Sequence, residues 1–180
     1  CATASIVSGA VAERIKIWPF FIFAAIMAGV IYPISMGWQW GGGWLASGGF
    51  SDFAGSTLVH GCGGAAALAG VIVLGAREGR FGRRGEKKSM QPFAASSIPL
   101  VTLGTFLLWF GWFGFNGGSA LASDSYAVNA MLVTQIAAAT AATSWGIVSL
   151  ITRGKISAVG VATGAVAGLV AITPAAGAVN

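Results

Sequence analysis

The chain has 180 residues, of which 56% are hydrophobic and only 8% are charged, and it carries a net charge of +5. A soluble domain has about 25% charged residues, so this composition excludes an ordinary water-soluble globule and predicts a membrane protein. The basic residues are neither interleaved with aromatic residues nor spread along one face, which argues against nucleic-acid binding. Both ends of the chain lie inside apolar runs, so we expect a piece of a longer protein.

Uncharged apolar runs follow one another along the whole chain, and each complete run approaches or exceeds the roughly 20 residues that cross a bilayer as a helix. The predicted fold class is therefore an all-α, polytopic transmembrane helical bundle. Its predicted spans are residues 1–12 (partial), 17–36, 53–75, 94–119, 128–151 and 157–180 (partial).

Prolines and glycines mark the ends of several of these runs and the connections between them. Pro19 suits a first helical turn and Pro33 a last one, and Pro174 interrupts the final run. Residues 37–51 are rich in glycine and tryptophan and lack charge, which predicts a loop at the water interface.

The basic residues fall in alternate connections between the predicted spans. Basic connections face the cytoplasm, so residues 13–16, 77–93 and 152–156 are predicted to lie inside, and the connections 37–52 and 120–127 outside. Lipid or regulatory-protein binding is an alternative role for the densest basic cluster. The ten basic residues are Arg14, Lys16, Arg77, Arg80, Arg83, Arg84, Lys87, Lys88, Arg153 and Lys155.

His60 is the only histidine of the chain, and it lies inside an uncharged run that begins after Asp52. It would sit about 12 Å along a helix that starts at the acid. A titratable ring at such a depth needs a partner or a watery cavity, so it is a functional candidate. Hydrogen-bonded packing is the alternative.

Asp52 suits the N-terminal end of a helix, where Asp is a favoured cap. With Ser56 and His60 it follows an i, i+4, i+8 spacing, but the acid and the imidazole are about 12 Å apart on a straight helix, too far for a hydrolytic triad. Cys1 and Cys62 lack metal-ligand spacing. We therefore predict no enzyme activity, catalytic residue, metal or cofactor.

Trp40 is predicted in an outer connection, and Phe115 and Ser119 are one turn apart near the outer end of their span. Aromatic faces attract a desolvated cation by about 2 kcal/mol, and a hydroxyl adds a hydrogen-bond acceptor. The combination suits a small cation with N–H donors. An interfacial aromatic belt and ordinary helix packing are the alternative.

The sequence resembles the ammonium transporter family, which includes the Rh proteins, and its bacterial branch in particular. The resemblance covers essentially the whole chain. It is carried, in family order, by GAVAERI, WGGGWLAS, DFAGSTLVHGCGGAAALAGVIVLGAR, GWFGFNGGSA and GAVAGLVAITPAAG. It implies a trimer of eleven-span subunits, each with two inverted five-helix halves around a narrow pore. This chain would run from the end of the third span into the eighth.

The resemblance implies a role for each candidate residue. Trp40, Phe115 and Ser119 would form the outer ammonium recruitment site, and Phe115 would also be one of two stacked rings that close the entrance. Asp52 would organise that site and favour the cation, and Trp112 would flank the pore.

His60 would be the first of two paired pore histidines. The second histidine would lie beyond Asn180, and the second gate phenylalanine just before Cys1.

The resemblance also implies a function: ammonium transport through a hydrophobic pore, with deprotonation and histidine-assisted passage. The implied partners are ammonium or ammonia, membrane lipid, further copies in a homotrimer and a cytoplasmic regulatory protein of the PII type, with the protein in the inner membrane. An ammonium sensor and an Rh-like channel for neutral gas are the alternatives from the same family, and a purely structural membrane scaffold is a third.

Overall fold

The computed structural model describes residues 1–81 and 93–179. Four residues of the connection predicted to be cytoplasmic lie outside the described residues: Arg83, Arg84, Lys87 and Lys88. Every regular element among the described residues is a helix, which confirms the all-α prediction. The chain divides into two units, Cys1–Phe50 with Thr57–Ala95, and Ser51–Ser56 with Ser96–Asn180.

Four helical stretches in the described part of the chain are long and apolar enough to cross a membrane, so this is a membrane protein. They are Ile17–Ser47, Ser56–Leu74, Ile98–Gly117 and Ser125–Arg153, and two shorter apolar helices accompany them, Ala2–Val11 and Ala158–Ile172.

The first unit is built from helices α1 to α5 with two π-helical segments. In chain order these are α1 (Ala2–Val11), α2 (Ile17–Ile26), π1 (Met27–Ile31), α3 (Tyr32–Gln39), α4 (Trp44–Ser47), π2 (Ser56–Gly61, of which the residues from Thr57 belong to this unit) and α5 (Cys62–Leu74).

Helices α1 and α5 approach closely because α5 offers glycines at the contact. A Cβ atom at Gly63 would lie 2.9 Å from the carbonyl oxygen of Thr3, and one at Gly70 would lie 2.8 Å from Cγ1 of Val11. Small residues permit this kind of backbone approach between membrane helices. Val7 packs into the buried core beside this contact.

The region from Pro33 to residue 51 differs from the prediction. Pro33 does not end its helix, which continues to Gln39, and a further helical turn spans Trp44–Ser47. Segment π1 ends two residues before Pro33, and π-helical turns and prolines are both recognised sites of kinks within a helix. The prediction was wrong because it counted only the missing N–H of proline.

The turn between α3 and α4 needs its glycines. A Cβ atom at Gly41 or at Gly43 would lie 2.8 Å from the carbonyl oxygen of Gly37, and Gly42 has a φ of +74°. Only glycine adopts this geometry without strain.

The second unit contains three apolar helices with side-chain N-caps. They are α6 (Ile98–Trp112), which continues as π3 (Phe113–Gly117), then α7 (Ser125–Arg153) and α8 (Ala158–Ile172). The caps are Ser97, Asp124 and Ser157, and each accepts a hydrogen bond from a backbone N–H in the first turn. A cap of this kind contributes about 1 kcal/mol.

Helices α7 and α8 pack backbone to backbone. A Cβ atom at Gly164 would lie 2.9 Å from the carbonyl oxygen of Ala141, and one at Gly168 would lie 2.5 Å from that of Ala137. This contact fixes α8, whose C-terminal end carries Thr173 toward the candidate site.

Candidate functional site

Asp52 caps the start of the helical stretch that carries His60. Its carboxylate is buried, and Oδ1 accepts hydrogen bonds from the backbone N–H groups of Gly55 at 2.7 Å and Ser56 at 3.0 Å. A carboxylate is favoured at a helix N-terminus, where N–H groups lack partners within the helix. The carboxylate therefore binds the N-terminus of this helix as expected, but from four residues before its first residue, Ser56, and not from the N-cap position.

The segment that follows Asp52 is held by the residues beyond α8. The N–H of Phe53 donates to the carbonyl oxygen of Pro174 at 3.1 Å, and the N–H of Ala54 donates to that of Thr173 at 3.3 Å. The Phe53 ring packs edge-on against Tyr126, with 5.6 Å between ring centroids. The position of the acid thus depends on the end of α8.

Thr173 also holds Trp112. The indole Nε1 donates to Oγ1 of Thr173 at 2.9 Å, and that hydroxyl donates to the carbonyl oxygen of Leu169 at 2.7 Å. Both side chains are buried. One threonine therefore bonds the segment after Asp52 through its backbone and the tryptophan through its side chain.

Phe115 and Ser119 meet within one turn, as their spacing predicts. The Phe115 ring lies 5.5 Å from the Trp112 ring between centroids, at 34°. The Ser119 hydroxyl donates to the carbonyl oxygen of Phe115 at 2.7 Å. A serine hydroxyl has one proton, so toward any further group this oxygen acts as an acceptor.

A second buried hydrogen bond involves residues that the sequence analysis did not single out. Nδ2 of Asn116 donates to Oγ1 of Thr134 at 2.9 Å, and Thr134 donates to the carbonyl oxygen of Ala130 at 2.6 Å. Neither Asn116 nor Thr134 has exposed surface. The sequence feature that could have identified them is a polar amide or hydroxyl side chain inside an apolar run.

His60 lies in π2, in the first unit, next to the buried Val59. The residue is half-buried, and its Nε2 is shielded from the surface. The tip of the ring is therefore covered by protein rather than presented to lipid.

Trp40 ends α3 in the first unit, where its N–H donates to the carbonyl oxygen of Met36 at 2.9 Å, and 41% of its surface is exposed. The second unit carries Trp112 and Phe115 on one helical stretch and Ser119 in the turn that follows it, and it also contains Asp52. That all the candidate residues share one site stays a prediction.

Comparison with known proteins decides the family. A sequence model described as the Ammonium Transporter Family matches residues 1–180. The chain belongs to the ammonium transporter family. This confirms the resemblance, and because the family consists of transporters, the chain is not an enzyme.

Two relatives show the degree of similarity. The chain is 47% identical over 178 residues to the ammonium transporter Amt1 of Archaeoglobus fulgidus, an alignment that covers 99% of the chain and 43% of that protein. It is 44% identical over 178 residues to an ammonium transporter of Aquifex aeolicus, covering 99% of the chain and 40% of the relative. The chain thus spans less than half the length of these relatives.

Solved structures agree in fold. One described as a sensor Amt protein has a TM-score of 0.92 at 42% identity and matches 98% of this chain and 44% of its own. Mep2 of Candida albicans has a TM-score of 0.88 at 41% identity, covering 99% of this chain and 39% of its own.

Proposed function

We propose that this chain forms part of the wall of an ammonium-conducting pore in a longer membrane transporter. The observation that carries the proposal is the Trp112–Phe115 ring pair beside Ser119, whose hydroxyl proton is already bound to the Phe115 carbonyl oxygen. Aromatic faces and an oriented acceptor oxygen suit a small cation with N–H donors.

Recruitment of ammonium at the outer face falls to Trp40, Phe115 and Ser119. The rings stabilise the cation while it loses water, by about 2 kcal/mol or more once it is desolvated. Phe115 is also one of two stacked rings that close the entrance.

Asp52 acts on the cation through its charge and through the segment that it caps. Its bonds to the N–H groups of Gly55 and Ser56 fix the start of the helix that leads to His60. The buried negative charge favours a cation at the pore mouth.

Passage requires that ammonium give up its proton. Stripping a small cation of water inside hydrocarbon costs many kcal/mol, so the pore excludes sodium and potassium. Neutral ammonia then crosses beside Trp112 and His60, whose imidazole offers it a hydrogen bond. The proton travels separately along histidine and water, so net charge moves.

Assembly and topology complete the proposal. The spans are those predicted from the sequence, except that the second continues past Pro33 to Gln39, and the connections 13–16, 77–93 and 152–156 face the cytoplasm. The full-length protein is a homotrimer in the inner membrane, in contact with lipid, and a cytoplasmic protein of the PII type regulates it.

The test uses the full-length transporter in liposomes on a solid-supported membrane. We expect His60→Ala to abolish the ammonium-induced current, because the in-pore hydrogen bond and the proton path are both lost. Trp40→Leu should weaken apparent ammonium affinity, whereas Trp18→Leu, which changes another tryptophan with 73% exposure, should leave it unaltered. A wild-type current in His60→Ala contradicts the proposal.

The second candidate is an ammonium sensor, favoured by the TM-score of 0.92 to the sensor Amt protein. A sensor that does not transport binds ammonium without a current or a flux. An Rh-like channel for neutral gas instead gives ammonia flux, visible as a pH change in the vesicle lumen, without a current. Current and lumenal pH recorded on one preparation separate the three.

A further inference from the structure

We propose that the side-chain oxygen of Asn116 is a further binding site on the conduction path, for a small N–H or O–H donor: an ordered water molecule or the ammonium ion itself. The location on a path rests on the proposed transport function. The chemistry rests on the hydrogen bonds of Asn116 alone.

The orientation of the Asn116 amide follows from its partner. Thr134 has one hydroxyl proton, which it donates to the carbonyl oxygen of Ala130 at 2.6 Å. Toward Asn116 it can therefore only accept, and the group that faces it at 2.9 Å must be the Nδ2 donor. Oδ1 consequently points away from Thr134.

The Oδ1 atom is buried and has no hydrogen-bond partner among residues 1–81 and 93–179. Asn116 has no exposed surface at all. Most buried polar side-chain atoms in proteins are paired, and buried water molecules commonly pair those that other residues do not reach. Water and ammonium both supply a donor for this oxygen, and because its surface is closed to a water-sized molecule, neighbouring side chains must move for either to bind.

The position of Asn116 places this acceptor beside the residues proposed to receive the cation. It follows Phe115 directly, lies four residues after Trp112 and three before Ser119, and belongs to π3. Residues three or four apart on a helix are neighbours, and π-helical turns are frequent at functional sites. A neutral acceptor here can bind ammonium, and it can also bind water that accompanies ammonium.

A purely structural role makes a different prediction. If Asn116 only pinned π3 to α7, the Nδ2 bond to Thr134 would carry the whole effect, and Oδ1 would bind nothing. Two experiments distinguish the roles, one on the occupant and one on transport.

The first experiment is a high-resolution structure of the full-length wild-type transporter, determined with and without ammonium sulfate. We expect density at about 3 Å from Asn116 Oδ1. Density in both structures identifies water, and density only with ammonium identifies the ion; either supports the proposal. No density in either structure, or a protein donor bound to Oδ1, overturns it.

The second experiment measures ammonium current for Asn116→Leu, which keeps the side-chain size and removes both the Oδ1 acceptor and the Nδ2 donor to Thr134. We expect the current to fall about tenfold, as loss of one buried hydrogen bond predicts. The matched control is Asn129→Leu, which makes the same chemical change where Nδ2 donates to the Val179 carbonyl oxygen at 2.8 Å, and its current should stay within about twofold of wild type.

If Asn116→Leu gives a wild-type current, the proposal that this site lies on the conduction path is wrong, even if density is present at Oδ1. Thr134→Val removes only the acceptor for Nδ2 and leaves Oδ1 in place, so its current should fall less than that of Asn116→Leu. An equal fall in both variants would mean that the Nδ2 bond carries the whole effect and would overturn the proposal. If Asn116→Leu does not assemble, Asn116→Ala, which also removes the acceptor, serves as the second variant, with the same expected fall in current. Failure of the transport proposal would appear separately, as a current that survives His60→Ala, and would leave the density at Oδ1 to be judged on its own.

Discussion

The two units of the chain use opposite kinds of polar contact between their helices. In the first unit the main contacts are made by charged side chains at the helix ends, beside a weak contact of the Ser35 hydroxyl with Cys62 Sγ at 3.9 Å. Nε of Arg77 donates to Glu13 at 2.7 Å, and the two side chains are 41% and 63% exposed. The neighbouring Arg14 donates to the backbone carbonyl oxygens of Ala10 and Gly75, which end α1 and α5.

In the second unit the polar contacts between helices are neutral, and two of them lie in the interior. Trp112 donates to Thr173, and Asn116 donates to Thr134, each at 2.9 Å and each between buried side chains. These bonds join π3 and the end of α6 to both neighbouring helices.

This difference in burial predicts a difference in how much each kind of contact contributes to stability. An exposed ion pair contributes about 0–1 kcal/mol, because water competes for both charges. Removing one partner of a buried hydrogen bond costs about 1–3 kcal/mol, because the other partner is left unsatisfied. We therefore expect the interior bonds near the candidate site to matter more than the charges at the helix ends.

The largest expected effect tests the backbone contact on which the interior bonds depend. Gly168→Val would put a side chain where even a Cβ atom lies 2.5 Å from the Ala137 carbonyl oxygen, so α8 must move away from α7. We expect most of the protein to be lost from the monodisperse size-exclusion peak. Gly104→Val is the control, because a Cβ atom there would meet no described atom within 4 Å outside its own helical turn, and equal yields for both would contradict the packing.

A smaller effect is expected from Thr173→Val, which has nearly the same shape and leaves the buried Trp112 Nε1 without its acceptor. The free energy of unfolding should fall by about 1–3 kcal/mol, measured as a lower Tm in detergent. Ammonium current should fall as well, because the segment after Asp52 bonds to the same residue. Thr173→Ser retains the hydroxyl and should recover both; if it does not, the hydroxyl is not the cause.

Asp52 permits a separation of capping from charge. Asp52→Ala removes the acceptor for Gly55 and Ser56 and should cost about 1 kcal/mol of stability along with transport. Asp52→Asn keeps an acceptor oxygen, so we expect near-wild-type Tm but reduced ammonium current. A normal current in Asp52→Asn would show that the cap, and not the charge, is what transport requires.

The smallest effect is expected from Glu13→Gln, which removes the ion pair with Arg77 at an exposed position. The change in Tm should correspond to about 0.5 kcal/mol or less and should shrink further with added salt, which screens the two charges. The double variant with Arg77→Gln measures the coupling directly. If Glu13→Gln costs as much as Thr173→Val, the contrast between the two units is wrong.

The fold class could be predicted from the sequence because it depends on local properties. Runs of uncharged residues define the helices, and residues such as Gly63 and Gly168 indicate close helix packing. The path of the chain around Pro33 could not be predicted, because a π-helical segment depends on how the finished helix packs and not on one residue.

The candidate site shows the same division. Asp52 as a cap and Ser119 one turn from Phe115 follow from sequence spacing alone. Thr173 was not predicted, because its bond to Trp112 joins residues 61 positions apart, and an apolar run gives no sign of which hydroxyl will meet which partner.

The π-helical segment Phe113–Gly117 has a consequence for protein engineering and for alignment. A turn of this type holds one residue more than the α-helical turn that it replaces, so later side chains are rotated by about 100° from an uninterrupted α-helix. Deleting one residue there would keep the membrane crossing intact while turning Ser119 to a different azimuth. When homologues differ by a single-residue gap in this turn, their residues should therefore be matched by the helix face that they occupy and not by their column in a sequence alignment.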